Sequence, residues 1–275
     1  MNSRRRSSQT RQMLREGLSY RFTRAVVRKP GGNVVNGLRT VQRDPPDVEL
    51  FQYEHDRYVE VLRQVGLCVD VLPPLEDFPD SVFIEDTALC LPEGVIILRP
   101  GATSRAGEAG ETARALADLG HATKQIDTSG TVDGGDILVT DSMILIGLSH
   151  RTNKPGFDAL KQVLDHWGYT VQAVQTPENV LHFKSDCSLL DSETVLSTSR
   201  LSAASCFSTF KVLTVPSGEE AAANSIRVND KVLVPAGFPA TADLIDKENY
   251  AVEIVPTSQA ALLDGGLSCM SLRIK

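Results

Sequence analysis

The chain has 275 residues, of which 41% are hydrophobic and 23% charged, and its formal net charge is −7. This length allows one large domain or two small ones, and the composition is that of a globular protein rather than a disordered one. The acidic balance excludes the general basic surface of a nucleic-acid-binding protein. No run of about 18 apolar residues occurs, so we expect no membrane span.

The five cysteines are odd in number and widely spread, and no two of them form a CxxC pair. This pattern indicates neither a structural zinc site nor a disulfide framework. We therefore expect reduced thiols in a reducing compartment, the cytoplasm.

The amino-terminal residues differ in charge from the rest of the chain. Residues 1–19 contain five arginines and one glutamate, so the remainder is more acidic than the whole and could attract a cationic small molecule. We expect a disordered Arg-rich extension over residues 1–20 and a single catalytic domain over residues 21–275. An Arg- and Ser-rich, acid-poor segment also fits a transit peptide.

A short β-branched run, a helical stretch and a second strand recur five times along the chain. The first strands are predicted over Ala25–Val27, Val95–Leu98, Ile144–Ile146, Val195–Ser197 and Val232–Val234. The helices are predicted over Val48–Val65, Gly107–Leu119, Phe157–Trp167, Leu201–Phe210 and Thr241–Glu248. The second strands are predicted over Cys68–Leu72, Thr123–Ile126, Thr170–Val174, Val212–Val215 and Val252–Val255.

A loop and a third strand complete each module. The third strands are predicted over Ser81–Leu91, Ile137–Val139, Phe183–Leu190, Ser225–Val228 and Leu267–Ile274. A module of this size is too small to bury its own apolar face, so we expect the five modules to pack around a common centre. The loops before the third strands would then approach one axis.

Those loops contain residues that can perform chemistry together. Asp80, Asp133, His182, Asn224 and Cys269 each lie in or beside one of them. A cysteine and a histidine far apart in sequence but close in space form the usual thiol-nucleophile pair, and a carboxylate can orient the histidine. Taken singly, each has a simpler interpretation, and we expect the other four cysteines to be small buried hydrophobic residues.

Two arginines follow first strands of their modules, Arg99 directly and Arg151 after a short turn. The planar guanidinium suits a carboxylate bidentately, although a solvated surface position is the simpler interpretation of either arginine alone. Acids on one side of a cleft and arginines on the other would suit an arginine-like zwitterion with an extra cationic group.

Segments spread over the chain resemble the dimethylarginine dimethylaminohydrolase family of guanidino-group-modifying enzymes. The resemblance runs from Arg21 to Ile274 and depends mainly on Phe78–Asp86, Thr131–Asp136, Leu181–Lys184 and Leu263–Leu272. It implies an α/β fold, a five-module α/β propeller (pentein) with pseudo-five-fold symmetry, which agrees with the five repeats.

The resemblance also implies an activity. Members hydrolyse Nω-methylated arginines, asymmetric dimethylarginine and monomethylarginine, to citrulline and dimethylamine or methylamine through a covalent cysteine-thiouronium intermediate. It implies that Cys269 is the nucleophile, His182 the general acid and base, and Asp133 the carboxylate that orients the histidine. The implied substrate-binding residues are Glu85 and Asp86 for the guanidinium, Asp80, Leu38 and Leu263 for the α-amino group, and Arg99 and Arg151 for the α-carboxylate.

We expect a small-molecule substrate, no cofactor, and no nucleic-acid or membrane partner; a homodimer is left open. No metal is required, although a cysteine beside a histidine can bind zinc, which would inhibit by occupying Cys269. Three other functions are considered: an arginine deiminase, which usually carries an additional helical insertion, a non-catalytic sensor of arginine derivatives, and a thiol peptidase.

Overall fold

The computed structural model describes residues 15–202 and 205–275, so most of the predicted extension over residues 1–20 lies outside the described residues. The strands are β1 (Arg24–Arg28), β2 (Cys68–Leu72), β3 (Ala88–Leu91), β4 (Gly94–Ile97), β5 (Thr123–Gln125), β6 (Ile137–Val139), β7 (Met143–Leu148), β8 (Thr170–Gln175), β9 (Cys187–Leu189), β10 (Thr194–Ser197), β11 (Lys211–Thr214), β12 (Ile226–Val228), β13 (Lys231–Pro235), β14 (Ala251–Val255) and β15 (Ser271–Ile274). The helices are α1 (Val48–Gln64), α2 (Glu108–Asp118), α3 (Lys154–His166), α4 (Ser199–Ser202), α5 (Pro239–Lys247) and α6 (Ser258–Ala261).

Within the described residues the strands form five sheets of three strands each. The strand orders are β15-β1-β2, β3-β4-β5, β6-β7-β8, β9-β10-β11 and β12-β13-β14. In every sheet the central strand is parallel to the strand after it, across a helical connection, and antiparallel to the third. The predicted α/β class and the five modules are therefore confirmed.

The helices begin where local chemistry favours a start. The Asp47 side chain accepts a hydrogen bond from the Leu50 amide at the start of α1, and Asn153 caps α3, which has Pro155 in its first turn. Such caps satisfy amide groups that have no partner inside the helix. The α1 residues Phe51 and Leu62 are buried, as expected for the inner face of an amphipathic helix.

The fourth predicted helix differs from the structure. Instead of one helix over Leu201–Phe210, the structure has the short α4 and a 3₁₀ turn over Ser205–Phe207. Residues 203 and 204, between them, lie outside the described residues.

Four of the third strands begin later than predicted, one of them by a single residue. In the other three the difference is larger, because a 3₁₀ turn occupies part of the predicted strand. The turns before the five third strands are Ile84–Thr87, Gly134–Asp136, Phe183–Ser185, Glu220–Ala223 and Ser268–Met270. In a 3₁₀ turn, with three residues per revolution, successive side chains point in three directions. In a strand, with a period of two residues, they alternate between two opposite faces. Contacts join the last turn to the first, the first to the second, the second to the third and the third to the fourth, so the five turns form the centre that positions the site.

Residues 15–20 contact the folded body. Leu18 is buried, and the Arg15 guanidinium lies 3.6 Å from the centre of the Tyr169 ring. The amides of Gly17 and Leu18 donate to the Asp141 carboxylate. Within the described part of the chain, no helix combines the length and the apolar character needed to cross a membrane.

Candidate active site

An open cleft of about 570 Å³ lies beside the central turns. Predicted site residues that line it are Leu38, Asp80, Asp86, Arg151, His182, Leu263 and Cys269. They come from five separate loops, which the modules bring together. The predicted residues Asp133, Glu85 and Arg99 are not among the side chains that line the cleft, and each has a different structural position.

Asp133 lies behind His182. It is 0% exposed, and its Oδ2 is 2.9 Å from His182 Nε2. Its Oδ1 accepts a hydrogen bond from the Gly101 amide at 2.6 Å. Because the second oxygen is held by backbone, the carboxylate presents a fixed edge to the imidazole, the geometry expected of an orienting group.

Asp86 is the second carboxylate near the imidazole. Its Oδ1 lies 4.0 Å from His182 Nε2 and accepts from the Gly135 amide at 2.9 Å, and Oδ2 accepts from Arg105 at 2.6 Å. Burial alone would raise the pKa of Asp86, but the charges of His182 and Arg105 lower it to about 2. The carboxylate is therefore ionised at neutral pH.

His182 is held in its protonated form. Burial lowers its pKa, but the charge of Asp86 and the hydrogen bond to Asp133 outweigh that effect and raise the pKa to about 9. An imidazolium at neutral pH can donate a proton to a leaving group.

Cys269 lies in the last central turn with its sulfur in the cleft. Its Sγ accepts a weak hydrogen bond from the Gly266 amide at 3.5 Å. Burial, together with the charges of Glu85 and Asp86, raises the pKa of the thiol to about 12. Without a ligand the group is a thiol, which is a poor nucleophile. Of the other four cysteines, Cys187 and Cys206 are buried as expected, Cys90 is half-buried, and Cys68 is exposed, contrary to the expectation.

One end of the cleft is formed by Asp80 and the segment at residues 38–43. Asp80 is buried, burial raises its pKa, and its Oδ1 accepts from the Leu38 amide at 2.9 Å. Asp264, at φ 57°, accepts from the Thr40 amide, and its carboxylate lies 3.6 Å from the Arg43 guanidinium. These contacts hold the segment over the cleft.

Arg99 does not line the cleft in the structure, so its predicted role in holding the α-carboxylate stays a prediction. Its backbone carbonyl bonds to the Val132 amide, and its exposed guanidinium donates to the Thr128 carbonyl at 2.7 Å, away from the cleft. Arg151 does line the cleft, with its guanidinium 3.9 Å from Asp133.

Two arginines that were not predicted also line the cleft, Arg39 and Arg105. Arg105 is the one that holds a predicted site residue. It is buried, donates to Asp86 and to both oxygens of Glu108, and gives a further hydrogen bond to the Phe83 carbonyl. The one local signal in the sequence is the Arg105–Glu108 spacing at a helix start, which is common on helix surfaces.

Glu85 does not line the cleft in the structure, so its predicted role in binding the guanidinium with Asp86 stays a prediction. Glu85 faces away from the cleft, with its Oε1 2.5 Å from Lys184 Nζ and 2.7 Å from Arg273 Nη2. It lines a second cavity. Glu85 and Asp86 are consecutive in a 3₁₀ turn, so their side chains diverge.

The two glycines after Asp133 are required by close packing between turns. A Cβ atom on Gly134 would lie 2.0 Å from the Glu85 carbonyl oxygen, and one on Gly135 would lie 2.7 Å from His182 Nδ1. The following Asp136 accepts from the Phe183 amide at 2.8 Å. The Asp-Gly-Gly-Asp segment therefore joins its neighbouring modules rather than forming an isolated turn.

Asp86, Asp133 and His182 each offer one potential ligand atom, and these atoms lie within 4.8 Å of one another, a spacing that a metal ion could use. All three groups already have partners, since Arg105 holds Asp86 while Gly101 and His182 share Asp133. The buried guanidinium beside Asp86 also disfavours a cation at this point.

Comparison with known proteins agrees with this site. The family model described as N,N dimethylarginine dimethylhydrolase, eukaryotic, matches residues 48–190. The dimethylarginine dimethylaminohydrolase of Pseudomonas aeruginosa is 36% identical over 92% of this chain and 99% of its own. The chain belongs to the dimethylarginine dimethylaminohydrolase family. The Streptomyces coelicolor protein of that name is 33% identical over 92% of this chain and 97% of its own.

A solved structure supports the same relationship. A cysteine-to-serine variant of the Pseudomonas family member, complexed with citrulline, superposes with a TM-score of 0.89 at 35% identity. It covers 92% of this chain and all of the other. The named members of the family are hydrolases that act on C–N bonds, and this chain is such an enzyme.

Proposed function

We propose that the protein hydrolyses asymmetric dimethylarginine and monomethylarginine to citrulline and dimethylamine or methylamine. The observation that carries the proposal is that Cys269, His182 and Asp86 meet in one cleft. A thiol, an imidazolium and an ionised carboxylate are the groups needed to attack a guanidinium carbon, protonate its leaving amine and hold its charge.

The cleft residues also suit the amino-acid end of such a substrate. Asp80 and the carbonyls of Leu38 and Leu263 would hold the α-amino group. Arg151, with 19% of its side chain exposed, is free enough to pair with the α-carboxylate, whereas Arg105, at 5%, is largely occupied by Asp86 and Glu108. We therefore assign the α-carboxylate first to Arg151, and assign Arg105 mainly to holding Asp86.

The chemistry begins with substrate charge. A guanidinium held by Asp86 next to Cys269 favours the thiolate, since a nearby positive charge lowers the pKa of a thiol. The thiol proton is lost to solvent, because His182 already holds its own proton. The thiolate attacks the central carbon, and protonated His182 donates its proton as the C–N bond breaks and dimethylamine leaves. Neutral His182 then takes a proton from water, and the hydroxide attacks the thiouronium carbon. The carbon–sulfur bond breaks, the proton of the added hydroxyl passes to the Cys269 sulfur, and citrulline leaves with the resting thiol and imidazolium restored.

We also propose that residues 21–275 form one domain in which the modules close into a propeller with pseudo-five-fold symmetry. Its support is the repeated sheet topology and the chain of contacts from turn to turn.

A substrate panel tests the activity. Purified protein without added metal is incubated with asymmetric dimethylarginine, monomethylarginine or arginine, and citrulline and the released amine are measured. We expect citrulline from the two methylated substrates at rates well above that from arginine. Release of ammonia from arginine at a comparable rate would indicate an arginine deiminase instead.

The nucleophile assignment is tested by Cys269→Ser. We expect turnover to fall by at least about a thousandfold, because a serine hydroxyl has no comparable activated form here, with an unchanged circular dichroism spectrum. The control is Cys68→Ser, which alters an exposed thiol outside the cleft and should keep full turnover. Normal turnover by Cys269→Ser would reject the assignment.

A further inference from the structure

A second cavity lies on the other side of the central turns. Its volume, counted with the part that opens to solvent, is about 820 Å³. The turns divide the two spaces residue by residue: Asp86 and Cys269 line the cleft, whereas their neighbours Glu85 and Ser268 line the second cavity.

The polar lining of the second cavity is cationic. Of the described side chains that line it, Lys184, Arg227 and Arg273 are basic and Glu85 alone is acidic. Lys184 and Arg273 both pair with Glu85, which leaves one positive charge uncompensated within this cluster. Their side chains are 13% and 14% exposed, against 6% for Glu85, so the accessible part of the cluster is its cationic part.

Lys184 still has N–H groups that can donate hydrogen bonds to a ligand. Lys184 Nζ has three N–H groups, and among the described residues the structure shows one of its hydrogen bonds, to Glu85. The remaining walls are largely apolar. They include Leu89, Ile137, Leu138, Val139, Ile226 and Leu272.

We propose that this second cavity binds a small carboxylate with an apolar tail, its charged group held by Lys184 and Arg273. The excess of positive charge excludes the cationic substrate proposed for the cleft, and the apolar walls favour an organic anion over a fully hydrated inorganic one. The site is independent of the proposed activity, since none of the residues that would hold the ligand lines the cleft.

The probe is hexanoate, with hexan-1-ol as a neutral analogue and inorganic phosphate as an anion without a tail. Isothermal titration of the full chain at pH 7 should show one hexanoate site, with hexan-1-ol and phosphate each at least tenfold weaker. Equal binding of hexan-1-ol would show that the cations play no part, and equal binding of phosphate would show that the tail plays none. Either result, or no hexanoate binding, overturns the proposal.

Two variants locate the site. Lys184→Met should weaken hexanoate binding at least tenfold, whereas Arg151→Met, which removes a cation from the cleft, should leave it within twofold. The reverse pattern would place hexanoate in the cleft and reject the proposal.

If circular dichroism shows that Lys184→Met does not fold, Ser188→Leu provides the test. Ser188 lines the cavity and its Oγ makes no hydrogen bond in the structure, so this substitution fills space without removing a charge or a bond. It should abolish hexanoate binding, and unchanged binding would overturn the proposal.

Discussion

In the cleft without substrate, Cys269 holds its proton and is a thiol, and His182 holds its proton and is an imidazolium. A thiolate beside a neutral imidazole would be the opposite arrangement. The pKa of the imidazole is raised to about 9 by Asp86 and Asp133 against the effect of burial, and burial raises the pKa of the thiol to about 12. The resting pair is a thiol and an imidazolium. In the proposed mechanism the charge of the substrate produces the thiolate, so we expect reactivity toward other electrophiles to stay low until a cation is bound.

The titration of His182 can be measured directly. We expect its ring protons to titrate by NMR with a midpoint near 9, and Asp86→Asn to move the midpoint downward because it removes the largest raising charge. His182→Gln assigns the signal. A wild-type midpoint near the ordinary 6.5 would contradict the electrostatic account.

The same raised pKa predicts how stability depends on pH. A group whose pKa is higher in the folded state stabilises the fold fully below its unfolded pKa, here 6.5, and this contribution is lost as pH rises through about 9. We expect the wild-type free energy of unfolding in urea to fall between pH 6 and pH 9.5 by more than that of His182→Gln. Equal changes in the two proteins would contradict the sign or the site of the effect.

At the scale of elements, the start of α2 supports the site. Glu108, in its first turn, accepts from Arg105 Nε and Nη2 at 2.8–3.1 Å, and Arg105 in turn holds Asp86. All three side chains are buried. The helix start therefore fixes a cleft carboxylate through an intermediate arginine.

Glu108→Gln should be costly, because it leaves Arg105 buried with less compensating charge. We expect a loss of roughly 3 kcal/mol in the free energy of unfolding, measured in urea. Glu111→Gln is the matched control on the same helix: its partner Arg114 is 70% exposed, and such surface pairs contribute about 0–1 kcal/mol. Similar losses in both variants would show that the buried network adds nothing.

The close packing of the turn Gly134–Asp136, before β6, leads to a second prediction about the elements. Gly134→Ala places a methyl group 2.0 Å from the Glu85 carbonyl oxygen, a backbone atom that cannot rotate away. We expect a loss of about 1–3 kcal/mol or more. Gly110→Ala, inside α2 with nothing within 4 Å, should instead stabilise by up to about 1 kcal/mol. Thermal unfolding compares the stability of both variants with that of the wild type. Unchanged stability of Gly134→Ala would show that the two turns can move apart to make room for the methyl group.

At the scale of the whole molecule, the first sheet joins the two ends of the described chain. β15 pairs with β1, and Tyr58 of α1 hydrogen-bonds to the Leu267 carbonyl and to Ser271. A module made from both ends cannot form until the rest of the chain is in place. This organisation favours cooperative folding.

Unfolding therefore tests the single domain. We expect one transition in urea, with coincident midpoints for far-ultraviolet circular dichroism and for the fluorescence of Trp167, the one tryptophan, which follows α3. Two separated transitions, or a tryptophan signal that changes first, would indicate that the third module unfolds on its own and would contradict the proposal of one domain.

Local sequence patterns and the family resemblance were enough to predict the repeated elements and to name candidate residues. Strand and helix periods are local properties, so the five central strands and the helix α1 were predicted within a few residues. The resemblance named Cys269, His182 and Asp133, and the structure brings His182 and Asp133 into contact. Their catalytic roles stay predictions until the variants are measured.

Packing between modules sets which charged side chains reach the cleft. Arg99 and Arg105 both lie in the connection between β4 and α2, and Arg105 is the one that pairs with Asp86 and Glu108. Glu85 and Asp86 are adjacent in sequence, yet the 3₁₀ turn directs them into opposite cavities. The side on which such a residue lies depends on contacts between modules far apart in the chain, and local sequence patterns do not encode those contacts.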